Sequence, residues 1–267
     1  MSNETDPGPA RADHDTSGID LLSIERAAVR GWPALETAAI DGWVVRSSSG
    51  GSVRANSVAA LAFDGHDLGT GIDAVATFYR TRAMPPRFTI SDVSLPAGLD
   101  AALAKRGWQR HGEHVTMAKL VSTDLDDQAT PPATMTVRHQ DRPSPEWVRV
   151  YLEGLSQDRR AAAPELVERV PPPCRFFSAV RDGEVIGSGL SVHDGRLASV
   201  QCMATWPATR RSGAARAILA AIEAYAREQG AQRLYLQTDL ANTPAMTLYA
   251  RAGFTIAGRY HTRWLPD

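Results

Sequence analysis

Apolar residues recur at helical spacing from about Ser212 to Gln229, with Ala214, Ala217, Ile218, Ala221, Ile222 and Tyr225 on one face. Gly230 follows as the expected C′ stop. Upstream the pattern is that of strands. CRFFSAV (from Cys174) and EVIGSGLSV (from Glu184) flank Asp182-Gly183, a two-residue hairpin signal, and Asp194-Gly195 predicts a second turn into a longer strand, RLASVQCMAT. Downstream come strand RLYLQT, a short helix with Thr243 as N-cap, Pro244 at N1 and Gly253 at C′, and a last strand, FTIAGRYH. The order β-β-β-α-β-α-β predicts a mixed sheet flanked by crossover helices, α+β in character.

Two stretches carry no such pattern. Residues 1–17 are polar and rich in Asp, Pro and Gly, which predicts a disordered tail. Residues 121–134 (VSTDLDDQATPPAT) combine an acid cluster with a proline pair and read as a linker between domains at 18–120 and 135–267. The two halves also match without gaps at a constant offset of 146 residues: RFTI at Arg87 faces RLYL at Arg233, and LAKRGW at Leu103 faces YARAGF at Tyr249. The same offset pairs Gly112 with Gly258, Tyr79 with Tyr225, Ile72 with Ile218 and Ile40 with Ile186, which points to a duplicated unit.

The composition narrows the partners. With 29 basic and 30 acidic residues the formal charge is −1, so no global field draws in nucleic acid or an anionic membrane. Cys174 and Cys202 make no disulfide framework and no metal pair, and no metal is expected. No apolar run approaches a bilayer span and no secretory pattern opens the chain, so a cytoplasmic protein is expected.

The stretch from Thr205 to Leu219, TWPATRRSGAARAIL, carries the chemistry. A strand ends, Pro207 breaks it, and an Arg-rich turn with Gly213 opens directly into the helix. The first amides of a helix lack internal partners and carry partial positive charge. Ser212, Gly213, Ala214 and Ala215 are small enough to admit a phosphate, and Arg210 and Arg211 add fixed charge. Neither a P-loop nor a dinucleotide fingerprint is present.

This turn, Arg210-x-x-Gly213-x-Ala215, followed by Asn242-x-Pro244 and by LYARAGF with Tyr249, resembles the GNAT superfamily of acyl-CoA-dependent N-acetyltransferases over roughly Arg175 to Arg263. The resemblance implies tandem GNAT-like domains, each a mixed, mostly antiparallel sheet flanked by helices. It implies acetyl-CoA as the donor, its pyrophosphate on the amides of Arg211 to Ala215. Its pantetheine arm would lie against the strand edge at Met203, Ala204 and Thr205, with Asn242 either bonding that arm or serving the turn. It further implies direct attack by the amine, with Tyr249 protonating the leaving thiolate. Gln201 stands where relatives often carry a carboxylate base, so the chain shows no obvious base. Cys202 reads as structural and His193 as a surface hairpin residue.

The offset puts Asp64 and Asp67 of FDGHDLG opposite Arg210 and Gly213, and Leu103 opposite Tyr249. The first half therefore reads as a degenerate repeat that repels a pyrophosphate. Its segment SVRANSVAAL reads as a strand offering Arg54 and Asn56 to a substrate, or to the surface or the domain contact. Trp32, Trp43 and Trp108 read as core. The expected activity is acetyl transfer to a small-molecule amine, such as an amino acid, metabolite or antibiotic. The alternatives are a protein or peptide acceptor and a non-catalytic acyl-CoA sensor. Monomer and homodimer both remain open.

Overall fold

The computed structural model describes residues 20–48, 50, 52–122 and 135–266. The expected tail at 1–17 and nearly all of the expected linker lie outside the described residues. The first half runs α1 (Leu21–Arg30), β1 (Glu36–Ile40), β2 (Trp43–Ser47), a 3-10 turn at Arg54–Asn56, β3 (Val58–Ala59), α2 (Leu68–Arg80), β4 (Arg87–Ser91), α3 (Leu99–Lys105) and β5 (Gln109–Leu120). The second runs β6 (Met135–Gln140), α4 (Pro145–Glu153), α5 (Gln157–Arg160), α6 (Ala163–Glu168), β7 (Cys174–Arg181) and β8 (Glu184–Asp194). It continues through β9 (Leu197–Ser199), β10 (Gln201–Thr205), a 3-10 turn at Pro207–Thr209, α7 (Ala214–Glu228), β11 (Arg233–Asp239), α8 (Thr243–Arg251) and β12 (Thr255–Trp264).

Local chemistry sets many boundaries. Asp20 accepts from Ser23 N at 2.8 Å to start α1, and Ser144 accepts from Trp147 N to start α4. Positive φ at Asp41-Gly42 and Asp182-Gly183 closes the two hairpins. Asn242, rather than Thr243, caps α8: its Oδ1 accepts from Ala245 N at 3.3 Å, one residue earlier than the sequence pattern indicates.

The strands form one mixed sheet in the order β1-β2-β3-β4-β12-β5-β11-β9-β8-β7-β6, with β10 paired to β8. Its centre is an exchange. The last strand of the second half, β12, lies between β4 and β5, while the last strand of the first half, β5, lies between β12 and β11. Thr255 pairs with Ala118 and Trp264 with Gln109, and each first-half partner lies 146 residues before a member of the other pair. The two strands therefore meet about a local pseudo-twofold axis. Asp100 on α3 fastens the exchange by accepting from Arg263 Nε at 2.7 Å and meeting His261 Nε2 at 2.9 Å.

The starts of α2 and α7, of β4 and β11, and of β5 and β12 all keep the 146-residue spacing. The earlier hairpins do not, because the turns at Asp41 and Asp182 lie 141 residues apart. Ile40 on β1 and Ile186 on β8 are consequently not counterparts, and a gapless match fails there. SVRANSVAAL is not one strand either: it divides into the 3-10 turn at Arg54–Asn56 and the two-residue β3.

Helices α7 and α8 cover one face through a cluster that includes Ile218, Ile222, Leu236 and Tyr249. On the other face α4 and α6 pack through Trp147, Tyr151 and Leu166, which join Trp32 from the first half. The first half keeps its own cluster around Trp43, Tyr79, Phe88 and Trp108. All three tryptophans read as core are buried. Among the described residues no helix is long and apolar enough to cross a membrane.

Candidate functional site

The predicted strand RLASVQCMAT is broken. β9 pairs with β11 only as far as Ser199 opposite Tyr235, and β10 then continues against β8 alone. Cys202 takes φ +52° within an irregularity between Gln201 and Ala204. No Gly or Pro interrupts the segment, so the break shows only in the pairing. Its effect is to part β10 from β11 beyond Val200, whose N–H still reaches Tyr235 O at 2.8 Å. Met203, Ala204 and Thr205 therefore line a strand edge without a strand neighbour among the described residues, the kind of edge an extended ligand can pair with.

One 3-10 turn carries this edge into α7. Arg211 (φ +62°) and Gly213 (φ +88°) curl the chain, and no side chain caps the helix. The N–H groups of Arg211, Ser212, Gly213, Ala214, Ala215 and Arg216 find no acceptor among the described residues. The first such bond is from Ala217 N to Gly213 O, at 2.9 Å. Six consecutive donors at the positive end of a 15-residue helix make an anion cradle. Arg210 and Arg211 are exposed and form no ion pair among the described residues.

Arg181, at the end of β7, is a third guanidinium here: its Nη2 lies 3.5 Å from Ser212 O, while its Nε and the Ser212 hydroxyl are buried without partners. Sequence reasoning missed Arg181, because only the hairpin geometry brings it beside α7. Gly189 lets that helix settle, since a Cβ there would meet Ile218 Cγ2 at 2.5 Å and Met203 Sδ at 2.9 Å.

The matching helix of the first half begins with a carboxylate. Asp67, the counterpart of Gly213, caps α2 by accepting from Thr70 N at 2.7 Å and from its hydroxyl at 2.8 Å. The backbone N–H of Thr70 holds the Asp67 carboxyl below its usual range.

Tyr249 projects from α8 into the core cluster shared with Ala214 and Leu236, against which Met203 packs. It is 7% exposed, and desolvation pushes its phenol up to about 12. Asn242 spends its Oδ1 on the α8 cap. Gln201 is buried, donating to Ser199 Oγ at 2.9 Å and Gly31 O at 3.3 Å, with its Oε1 unpartnered.

Asn56 does not face this region with a free amide. It accepts from Ser48 N and donates to Gly50 and Ser52 carbonyls, so it serves its own loop instead of offering itself to a substrate. Cys202 is desolvated, its thiol pushed up to about 12, consistent with a structural cysteine. His193 is half-buried and not a fully exposed hairpin residue: its N–H donates to Pro173 O at 2.9 Å, and its Nε2 is buried without a partner among the described residues.

Opposite the α7 face, α1 lies across the centre of the sheet and brings together residues that no motif marks. Glu25, 5% exposed, accepts from Thr116 Oγ1 at 2.5 Å and Gln237 Nε2 at 3.0 Å. Burial raises its pKa above the usual carboxylate value, against the pull of those hydrogen bonds and of Arg54 and Arg46. Arg54 donates to Gln237 Oε1 at 3.2 Å and lies 5.5 Å from the Trp32 ring centre. Its charge is felt by Glu25, Arg46, His114, Tyr151, Cys202, Tyr235 and Tyr260, which come from seven different elements. Arg54 is thus the central charge of this face, and Gln237, just past the point where β9 leaves β11, links it to the parted strands. No group of three or more His, Cys, Asp or Glu among the described residues is placed to hold a metal.

Residues 16–264 match the family model described as "Probable histone acetyltransferase Rv0428c C-terminal". The chain is 30% identical over 250 residues to "Uncharacterized N-acetyltransferase YobR" of Bacillus subtilis, covering 91% of this chain and 98% of that protein. It is 26% identical over 246 residues to "Probable histone acetyltransferase Rv0428c" of Mycobacterium tuberculosis, covering 92% and 74% respectively. Among solved structures, a GCN5-related N-acetyltransferase from Kribbella flavida aligns with a TM-score of 0.66 at 16% identity, over 92% of this chain and 95% of that one. A tandem GNAT protein from the clavulanic acid biosynthesis pathway aligns with a TM-score of 0.61 at 18% identity, over 76% and 72%.

Proposed function

Since the chain belongs to the Rv0428c C-terminal acetyltransferase family, within the GNAT superfamily, and is an acyltransferase, we propose that it moves an acetyl group from acetyl-CoA to the amine of a small molecule. The observation that carries this reading is the run of six unpaired amides from Arg211 to Arg216. They adjoin a strand edge that parts from its neighbour, and they are flanked by Arg181, Arg210 and Arg211. A diphosphate fits the cradle by charge and by donor count, and a rod-like amide-bearing arm fits the edge of Met203 to Thr205.

Bound acetyl-CoA supplies the thioester. The chain's own residues then have three tasks. The backbone of β10 near Met203 orients the carbonyl and stabilises charge on its oxygen. Tyr249, with a phenol that stays protonated through neutral pH, is the donor to the departing sulfur. Glu25, on the opposite face, is the carboxylate best able to take the amine's proton. It is desolvated, and its two hydrogen bonds hold it in one orientation.

The second half thus holds the donor, and the first half contributes α1, Glu25 and Arg54 to the acceptor side. Reading the first half as a repeat without a cradle of its own is supported by Asp67 at the start of α2. A protein acceptor is the competing reading, on the name of the M. tuberculosis relative, a probable histone acetyltransferase. The narrow acceptor side, walled by α1 and the 3-10 turn at Arg54, favours a small one.

Thiol release from acetyl-CoA with a panel of small amines tests the proposal. Release on addition of an amine supports it. Binding of acetyl-CoA with release only in the presence of peptides or protein would transfer the assignment to the competing reading.

A further inference from the structure

The small cleft beneath α1 is bounded by Glu25, Arg46, Arg54, Thr89, Gln237 and Tyr260 among others, and offers about 20 Å³ to the centre of a water-sized sphere, room for the end of a ligand at its mouth. Arg46 is its unexplained member. It is 4% exposed, yet its side chain makes a single hydrogen bond, from Nε to Ser57 O at 3.2 Å. Its two Nη groups meet no acceptor among the described residues, and they are not among the sealed, unpartnered atoms. They therefore face the cavity. A buried guanidinium is costly to leave with idle donors, and its planar pair of N–H groups matches a carboxylate edge. Arg54 brings a second guanidinium to the same space, with only Nη1 engaged. The cavity's one carboxylate, Glu25, is already hydrogen-bonded to Thr116 and Gln237. Two cations against one anion leave a single positive charge.

Resting on the acyl-transfer reading above, we propose that the acceptor is an amino acid or a similar amine bearing a carboxylate. Arg46 and Arg54 bind that carboxylate, and Glu25 receives the amine's proton. An α-amine lies one carbon from its carboxylate, so an acceptor anchored on the arginines keeps its nitrogen beside Glu25. Gln237, bonded to both Glu25 and Arg54, ties this anchor to the strand that parts from β10. In the step itself, nitrogen forms the C–N bond to the acyl carbon as the C–S bond breaks. The proton leaves nitrogen for Glu25, and the sulfur takes one from Tyr249.

The test uses the full chain and acetyl-CoA, following thiol release with L-amino acids, their carboxamides and the corresponding decarboxylated amines. The expected result is a kcat/KM for the best acid about 10–100-fold above that of its carboxamide and amine, as charge-assisted hydrogen bonds imply. In Arg54→Gln that ratio should fall to near one, with acetyl-CoA affinity by calorimetry unchanged. Carboxamides and amines matching the acids would overturn the inference while leaving acetyl transfer standing. So would silence with all three classes in a protein that binds acetyl-CoA. Failure to bind acetyl-CoA at all would instead overturn the reading beneath it.

Discussion

Replacing Gly213 by Asp would give α7 the residue that Asp67 places before α2. The substitution acts in two separable ways. First, Gly213 holds φ +88°, and a side chain in that left-handed region costs about 1 kcal/mol of fold stability. Second, the new carboxylate stands among the six unpaired amides and competes with an external anion for them. A hydrogen bond to a charged group is worth about 1.5–3 kcal/mol. Loss of two such bonds therefore removes about 3–6 kcal/mol of binding, roughly a hundredfold to ten-thousandfold in Kd.

Calorimetric titration with coenzyme A reads the second effect and thermal melting reads the first. Gly213→Ala separates them: it carries the same strain with no charge, so it should melt lower yet retain coenzyme A affinity to within about tenfold. Asp67→Ala should lower the melting temperature and leave coenzyme A affinity untouched. Gly213→Asp binding coenzyme A as tightly as the parent protein would refute the cradle.

Three further outcomes follow from the same geometry. Tyr249→Phe should lower kcat by about a hundredfold or more at unchanged coenzyme A affinity, as removal of a positioned acid does; undiminished turnover rules out its role. Glu25 must be ionised to accept a proton, and burial raises its pKa above 4.5. The kcat/KM profile should therefore fall on the acid side above the ordinary glutamate range, and Glu25→Gln should lose that limb along with most of the activity. An unshifted limb in the variant assigns it to another group. Asp100 is held down to about 2, chiefly by hydrogen bonds from Arg263. Its contribution is present above its ordinary value of 3.8 and is lost as pH falls toward 2. Since the Asp100 side chain is 38% exposed, Asp100→Asn should cost no more than about 1 kcal/mol near neutral pH, read by denaturant melts, with the difference vanishing in acid.

What the sequence discloses is what is settled within a few neighbouring residues. Gly213 ahead of an apolar helical stripe, the Asp182-Gly183 turn and the Gly230 stop are local decisions, and the mixed sheet with crossover helices follows from them. The repeat is legible from the starts of α2 and α7 onward, where spacing is constant, and misleading at Ile40, where the spacing differs by five residues. The break between β9 and β10 is hidden in the sequence, because no Gly or Pro stands near Val200 and the strands part only where the pairing of β9 with β11 ends at Ser199. The exchange of β5 and β12 depends on two strands 146 residues apart finding each other's sheets. Arg46, Arg181 and Glu25 carry no motif at all, and their significance lies in what the fold leaves unbonded around them. Arg54 stands out in the sequence only by its offset, whereas the structure puts it in reach of seven elements.

Electron density from crystals grown with coenzyme A bears most directly on the central claim. The diphosphate should rest on the amides from Arg211 to Arg216, between the Arg210 and Arg211 side chains, with the arm running along Met203 to Thr205. A diphosphate found instead at the start of α2, or anywhere that leaves those six amides facing solvent, would contradict the account.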